Sequence, residues 1–121
     1  LLICSYGCGS DKVPTYPVSG RVQFADGEPV RTGTIELESK EHGTSATGTI
    51  QEDGTFVLGT YTSNDGAAAG IHRGITKHTR DHGRAVPPLY GDYDSSPLSI
   101  EVQAIPQNEV ILSLSEPPAT N

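Results

Sequence analysis

The side chains best equipped for chemistry crowd into residues 72–94. Three of the four histidines, His72, His78 and His82, lie there together with Asp81. Imidazole nitrogens and a carboxylate can ligate zinc or copper. The histidine spacings of six and four residues match no compact ligand signature, so a loop must fold to bring them together. Solvent-facing histidines are the plainer expectation. Arg73, Lys77, Arg80 and Arg84 stand in the same stretch, giving residues 72–84 a local charge of +3. The whole chain is −7, which leaves −10 for the remainder. A basic, histidine-rich connection on an acidic body can meet an anionic partner, a carboxylate-rich glycan or the acidic face of another copy. A solvated loop accounts for the same residues. Tyr61, Tyr90 and Tyr93 offer amphipathic rings suited to a sugar platform, although Tyr90 is also placed to pack the connection onto the body. The candidate ligand or partner contacts are thus Arg73, Lys77, Arg80, Arg84, Tyr90 and Tyr93.

Other chemistries find less support. Asp92 and Asp94, with Asn64 and Asp65 on another loop, can offer oxygens to calcium, but neither loop has the ligand count of a calcium motif. Turn formation explains these Asx residues. Serine and threonine are plentiful, yet there is no nucleophile-elbow pattern and no glycine-rich phosphate cradle. A non-enzymatic chain is expected, with no cofactor. A net charge of −7 also argues against general nucleic-acid binding, which needs a basic face to neutralise phosphates.

The first eleven residues, LLICSYGCGSD, turn from apolar to polar just after Cys8. They resemble the end of a secretory leader running into a bacterial lipoprotein lipobox, in which a small residue precedes a lipidated cysteine. Gly7 fits that position and Gly9-Ser10-Asp11 fits the tether, whereas Ser5 and Tyr6 are poor matches upstream. Cys8 is the expected lipidation site and membrane anchor. An ordinary N-terminal strand with free or paired thiols is the other reading, and a Cys4–Cys8 disulfide would close a very short loop. The 121 residues contain no methionine, so an upstream segment is expected.

Any such site needs a scaffold, and the residue pattern predicts an all-β one. With 34% hydrophobic residues, no Trp, 14 Gly and 9 Pro, the chain favours short strands and many turns over long helices. Residues 1–17 form the leader remnant, lipobox-like run and proline-containing linker; residues 18–115 form one domain; residues 116–121 form a polar tail. Residues 18–24 alternate, with Val18, Val22 and Phe24 in phase and Gly20 at a bend or close approach. Residues 34–38 alternate cleanly, with Ile35 and Leu37 inward. Residues 47–51 and 55–60 flank Asp53-Gly54 and predict a hairpin. Asn64-Asp65-Gly66 breaks the chain before a strand over 71–76. The connection 77–94 contains Pro87-Pro88 and cannot be one strand, so Val86, Leu89 and Tyr90 are expected to pack it down. Residues 98–102 and 110–114 supply the last strands.

The order of several segments resembles a bacterial domain family related to the carboxypeptidase regulatory-like and transthyretin-like sandwiches, found as small lipoproteins of planctomycete type. The matching pieces are Pro17-Val18-Ser19-Gly20-Arg21-Val22, Asp26-Gly27-Glu28-Pro29-Val30, Thr32-Gly33-Thr34-Ile35, Gln51-Glu52-Asp53-Gly54-Thr55-Phe56, Gly66 to Gly70 before His72-Arg73, and Val86-Pro87-Pro88-Leu89-Tyr90. The resemblance implies a seven- or eight-stranded Greek-key β-sandwich, transthyretin-like or Ig-like, exported and tethered to the cell envelope. Its expected partners are other envelope proteins or copies of itself, in an adhesion or assembly role. The alternative is an envelope protein that binds a small ligand, carbohydrate or metal through residues 72–94. One enzymatic branch of the transthyretin-like proteins hydrolyses 5-hydroxyisourate with a C-terminal Tyr-Arg-Gly-Ser, which this chain lacks. His72 and Arg73, if they lie on a strand, also point to opposite faces.

Overall fold

The computed structural model describes residues 12–77 and 86–114. Alternation builds most of its strands. In β2 (Val18–Phe24) and β3 (Thr34–Ser39), Val18, Val22, Phe24, Ile35 and Leu37 face inward. In β8 (Leu98–Val102) and β9 (Asn108–Leu114), Leu98, Ile100, Val102, Leu112 and Leu114 do the same. The remaining strands are β1 (Thr15–Tyr16), β4 (Thr44–Thr49), β5 (Thr55–Val57), β6 (Ala67–Ala68) and β7 (Gly70–Lys77).

These strands form a β-sandwich. One sheet has the order β5-β2-β9 and the other β4-β3-β7-β8, with β1-β6 as a small third ladder. All pairings are antiparallel except β2 with β9, which is parallel from Val18↔Asn108 to Phe24↔Leu114. The two inner faces meet in one core that includes Phe24, Ile35, Leu37, Phe56, Leu58 and Leu114. Among the described residues seven strands are three residues or longer, in keeping with the strand count that the resemblance implies.

Gly20 is needed in the middle of β2. A Cβ there would sit 2.7 Å from Phe56 Cζ and would also strike the Val110 carbonyl. Its neighbours on both sides use the space a side chain would fill.

The predicted hairpin around Asp53-Gly54 is present only at its two ends. Gly54 N donates to Gln51 O and Gln51 N to Thr55 O, both at 2.8 Å, and Thr47 exchanges two bonds of 2.9 Å with Gly59. Between these closures β4 stays with β3, whereas β5 pairs with β2 in the other sheet. The cause is long-range: Phe56 is buried in the core against Gly20, and the backbone follows it. The same crossing seals one side of the sandwich. On the other side, β8 and β9 end their sheets as edge strands joined by residues 103–107.

The polypeptide also joins the fold earlier than expected. Thr15 and Tyr16 already pair with Ala68 and Ala67, ahead of Val18. Within residues 86–97 a 3-10 turn, Pro88–Gly91, buries Tyr90, and Val86 and Leu89 join the core as predicted. Ser96 Oγ donates to Gly74 O at 2.6 Å and fastens this connection to β7.

Candidate functional site

The register of β3 against β7 decides the fate of the basic residues. Glu38 lies opposite Arg73, and Thr34 opposite Lys77. Arg73 Nη2 meets Glu38 Oε1 at 2.6 Å, and Lys77 Nζ meets Glu36 Oε1 at 3.3 Å. Arg73 is partly exposed and Lys77 mostly so, and solvent screening leaves each pair a minor contributor to stability. Their consequence is for recognition: the charge that could draw an anion is already answered by β3. The Arg73 guanidinium also lies over the Tyr93 ring, 5.2 Å from its centroid. Arg73 Nε and the Tyr93 hydroxyl are both shut from solvent, and the hydroxyl faces the Glu36 carboxylate. Burial pushes the Tyr93 hydroxyl well above the usual tyrosine range, and the Glu36 and Glu38 carboxylates add to that shift. Tyr93 therefore stays neutral and serves as a platform for Arg73.

Of the other candidates, Tyr90 is a core residue. Cys8, His78, Arg80, Asp81, His82 and Arg84 lie outside the described residues. His72 and Arg73 do point to opposite faces of β7, as a strand requires. His72 is 1% exposed, with Nδ1 3.3 Å from Gly70 O and Nε2 without a partner. Its inward position was hidden in the sequence, because the inner phase of β7 is Gly70, His72, Gly74 and Thr76, while Ile71 and Ile75 share the outer phase. Among the described residues no group of three His, Cys, Asp or Glu side chains converges as a metal site. Nor does a histidine ring there bond a hydroxyl: the His42 and His72 imidazoles both meet main-chain carbonyls.

Burial holds the His72 pKa below its ordinary value of 6.5, with the Gly70 carbonyl opposing the shift and His42 adding to it. An unfolded chain therefore takes up a proton on this residue before the folded one does. Stability should be full above about pH 6.5 and fall as the pH drops below that, through the lowered folded pKa. Denaturation midpoints measured from pH 7.5 to pH 4.5, on the parent and a His72→Gln variant, check this. The variant should lose that part of the acid slope; identical slopes would contradict the assignment.

The feature the charge pattern did not signal is the outer edge of β9, against which no other described strand pairs. Asn108 N donates to Pro17 O at 2.9 Å, so in a parallel ladder the even-numbered residues of β9 bond to β2. The main-chain groups of Glu109, Ile111 and Ser113 then point off the sheet. Ile111 is 68% exposed in the centre of this seven-residue edge. The sequence did carry a sign of it: in the run Val110-Ile111-Leu112-Ser113-Leu114, Ile111 is apolar in the outward phase. Long, apolar edge strands are ready templates for another chain.

No protein-family model matches this sequence, and neither does any curated protein. Among solved structures, the chain is similar to a DUF3823 family protein from Parabacteroides merdae, with a TM-score of 0.50 and 18% identity. The match covers 85% of this chain and 47% of that one, so the chain spans about half the length of that protein. At this identity the likeness is one of fold, and it agrees with the β-sandwich described above.

Proposed function

We propose that this chain is a non-enzymatic assembly module of the cell envelope that joins a second copy of itself edge to edge through β9. The observation that carries this reading is the β9 edge, unpaired among the described residues, with Ile111 exposed at its centre. An antiparallel pairing with Ile111 on the two-fold axis uses the outward-pointing groups of Glu109, Ile111 and Ser113 from each copy as hydrogen-bonded pairs. Ile111 then meets its counterpart, and Glu109 falls opposite Ser113, so no two like charges face each other across the strands. The result is a continuous six-stranded sheet. A net charge of −7 on each copy opposes the approach, so association should strengthen with salt.

The envelope location rests on the lipobox-like run ending at Cys8 and on the resemblance to transthyretin-like and carboxypeptidase regulatory-like lipoproteins. Intact mass of the native membrane-fraction protein checks the tether: it should begin at an acylated Cys8, and an unlipidated chain would count against it.

Sedimentation equilibrium of the parent and an Ile111→Lys variant tests the pairing. The exposed side chain leaves the fold indifferent to the change, while two lysines on the axis would repel each other. The parent should show a concentration-dependent mass reaching twice that of one chain, and the variant should stay monomeric. A monomeric parent at every concentration, or a dimer unmoved by the substitution, would contradict this reading.

A further inference from the structure

The opened hairpin leaves a groove of about 700 Å³ between β4 and β5, within the range of small-molecule sites. Thr49 and Val57 stand in register between the Thr47–Gly59 and Gln51–Thr55 closures, yet no hydrogen bond joins them. Val22 N donates to Gly54 O and Leu58 N to Val18 O, so the even-numbered groups around β5 face β2. Those of Val57 face the gap. Gly48 forms part of the floor, where a Cβ would stand 2.6 Å from the Val57 carbonyl. The lining includes six threonines, with Thr47, Thr49 and Thr55 exposed, and no charged side chain.

The far wall is held in place before any ligand arrives. Asp65 Oδ1 accepts from Thr60 N at 2.6 Å, and Oδ2 accepts from Tyr61 N and Thr62 N at 3.1 and 3.2 Å. Burial pushes this carboxyl up, but the three amide bonds outweigh it and hold its pKa below the usual carboxylate range. Tyr61 is 38% exposed, and its hydroxyl accepts from Val13 N at 3.0 Å, which fixes the ring.

We propose that this groove binds a segment of a neutral oligosaccharide. Sugar hydroxyls donate and accept at once, and the site offers both capacities through the Thr47 and Thr49 hydroxyls and the main-chain groups of Val57, while the Thr49 carbonyl already accepts from Gln51 Nε2 at 3.3 Å. No cation lines the groove itself to select a carboxylate or phosphate, and Lys12 Nζ is engaged over the Tyr61 ring, 5.4 Å from its centroid. The part of the Tyr61 ring that Lys12 leaves exposed supplies the flat apolar surface that a pyranose face needs. An added peptide strand fits poorly, because Gly59 already occupies the β4 edge at Thr47 and one unpaired residue is too short a ladder. The groove lies on the sealed side of the sandwich, away from β9, so its test is independent of self-association.

The test is amide chemical-shift titration of the full chain with neutral gluco-, manno-, galacto- and xylo-oligosaccharides, up to about 10 mM to capture millimolar affinity. At least one should give saturable shifts at Thr49, Val57 and Tyr61. A Thr49→Val variant, similar in shape but lacking the hydroxyl, should bind that sugar about tenfold more weakly. No saturable shift with any sugar, shifts confined to another surface, or unaltered binding by Thr49→Val would overturn the proposal. So would a response to an anionic polygalacturonate fragment or an extended peptide in place of any neutral sugar.

Discussion

A Phe56→Ala chain is expected to lose about 4 kcal/mol of stability, in line with the cost of emptying a large aromatic site in a packed core. Domains of this size are stable by only about 5–15 kcal/mol, so the loss consumes much of the margin. Phe56 is a buried side chain on a strand of only three residues, and its ring rests where a Gly20 side chain would otherwise be. It therefore does two things at once: it fills the core and draws β5 out of its hairpin with β4 onto β2. Urea denaturation with a fixed unfolding slope measures the loss. A change below about 1 kcal/mol would mean that the core closes over the gap and that Phe56 does not dictate the crossing.

Asn108→Ala should cost about 3 kcal/mol through polar groups left unsatisfied. The Asn108 side chain is buried and accepts from Gln103 N at 2.9 Å; its Nδ2 donates to Gln103 O at 3.0 Å and to Pro17 O at 3.2 Å. It ties the β8–β9 connection to the start of β2, so β9 enters its parallel register at the right residue. Asn108→Asp is the sharper test, because it preserves size while turning an oxygen toward two carbonyls. It should be at least as damaging as alanine at neutral pH and should recover when acidified enough to protonate the new carboxyl. If both variants melt with the parent, water or backbone movement satisfies those groups and the clamp is dispensable.

Most strands were legible because one face of each is wet and the other buried, so a period of two survives in residues 18–24, 34–38 and 98–102. The sheet membership of β5 was not legible. An Asp-Gly turn between two β-prone runs encodes a local reversal, and only the distant Phe56–Gly20 contact reveals that the arms part. The neutralisation of Arg73 and Lys77 was hidden for a related reason: a β3–β7 register that no local pattern specifies brings Glu38 opposite Arg73 and Glu36 diagonally across from Lys77. Inward His72 was masked because the small residues of β7 sit in the core phase, where Gly74 passes within 3.0 Å of a Leu37 methyl if given a Cβ. Ile111, by contrast, was readable as an apolar residue in the outward phase of its strand. The opened hairpin and its groove follow from β5 and could not be read without it.

Amide hydrogen exchange of β9 at low and high protein concentration tests the assembly reading most directly. The amides of Val110 and Leu112 bond to β2 in the parallel ladder and should be protected at every concentration. Those of Glu109, Ile111 and Ser113 point off the edge, and the account predicts that they exchange freely in dilute solution and become protected as the chains pair. Free exchange of these three at every concentration, beside protected Val110 and Leu112, would leave the edge unpaired and contradict it.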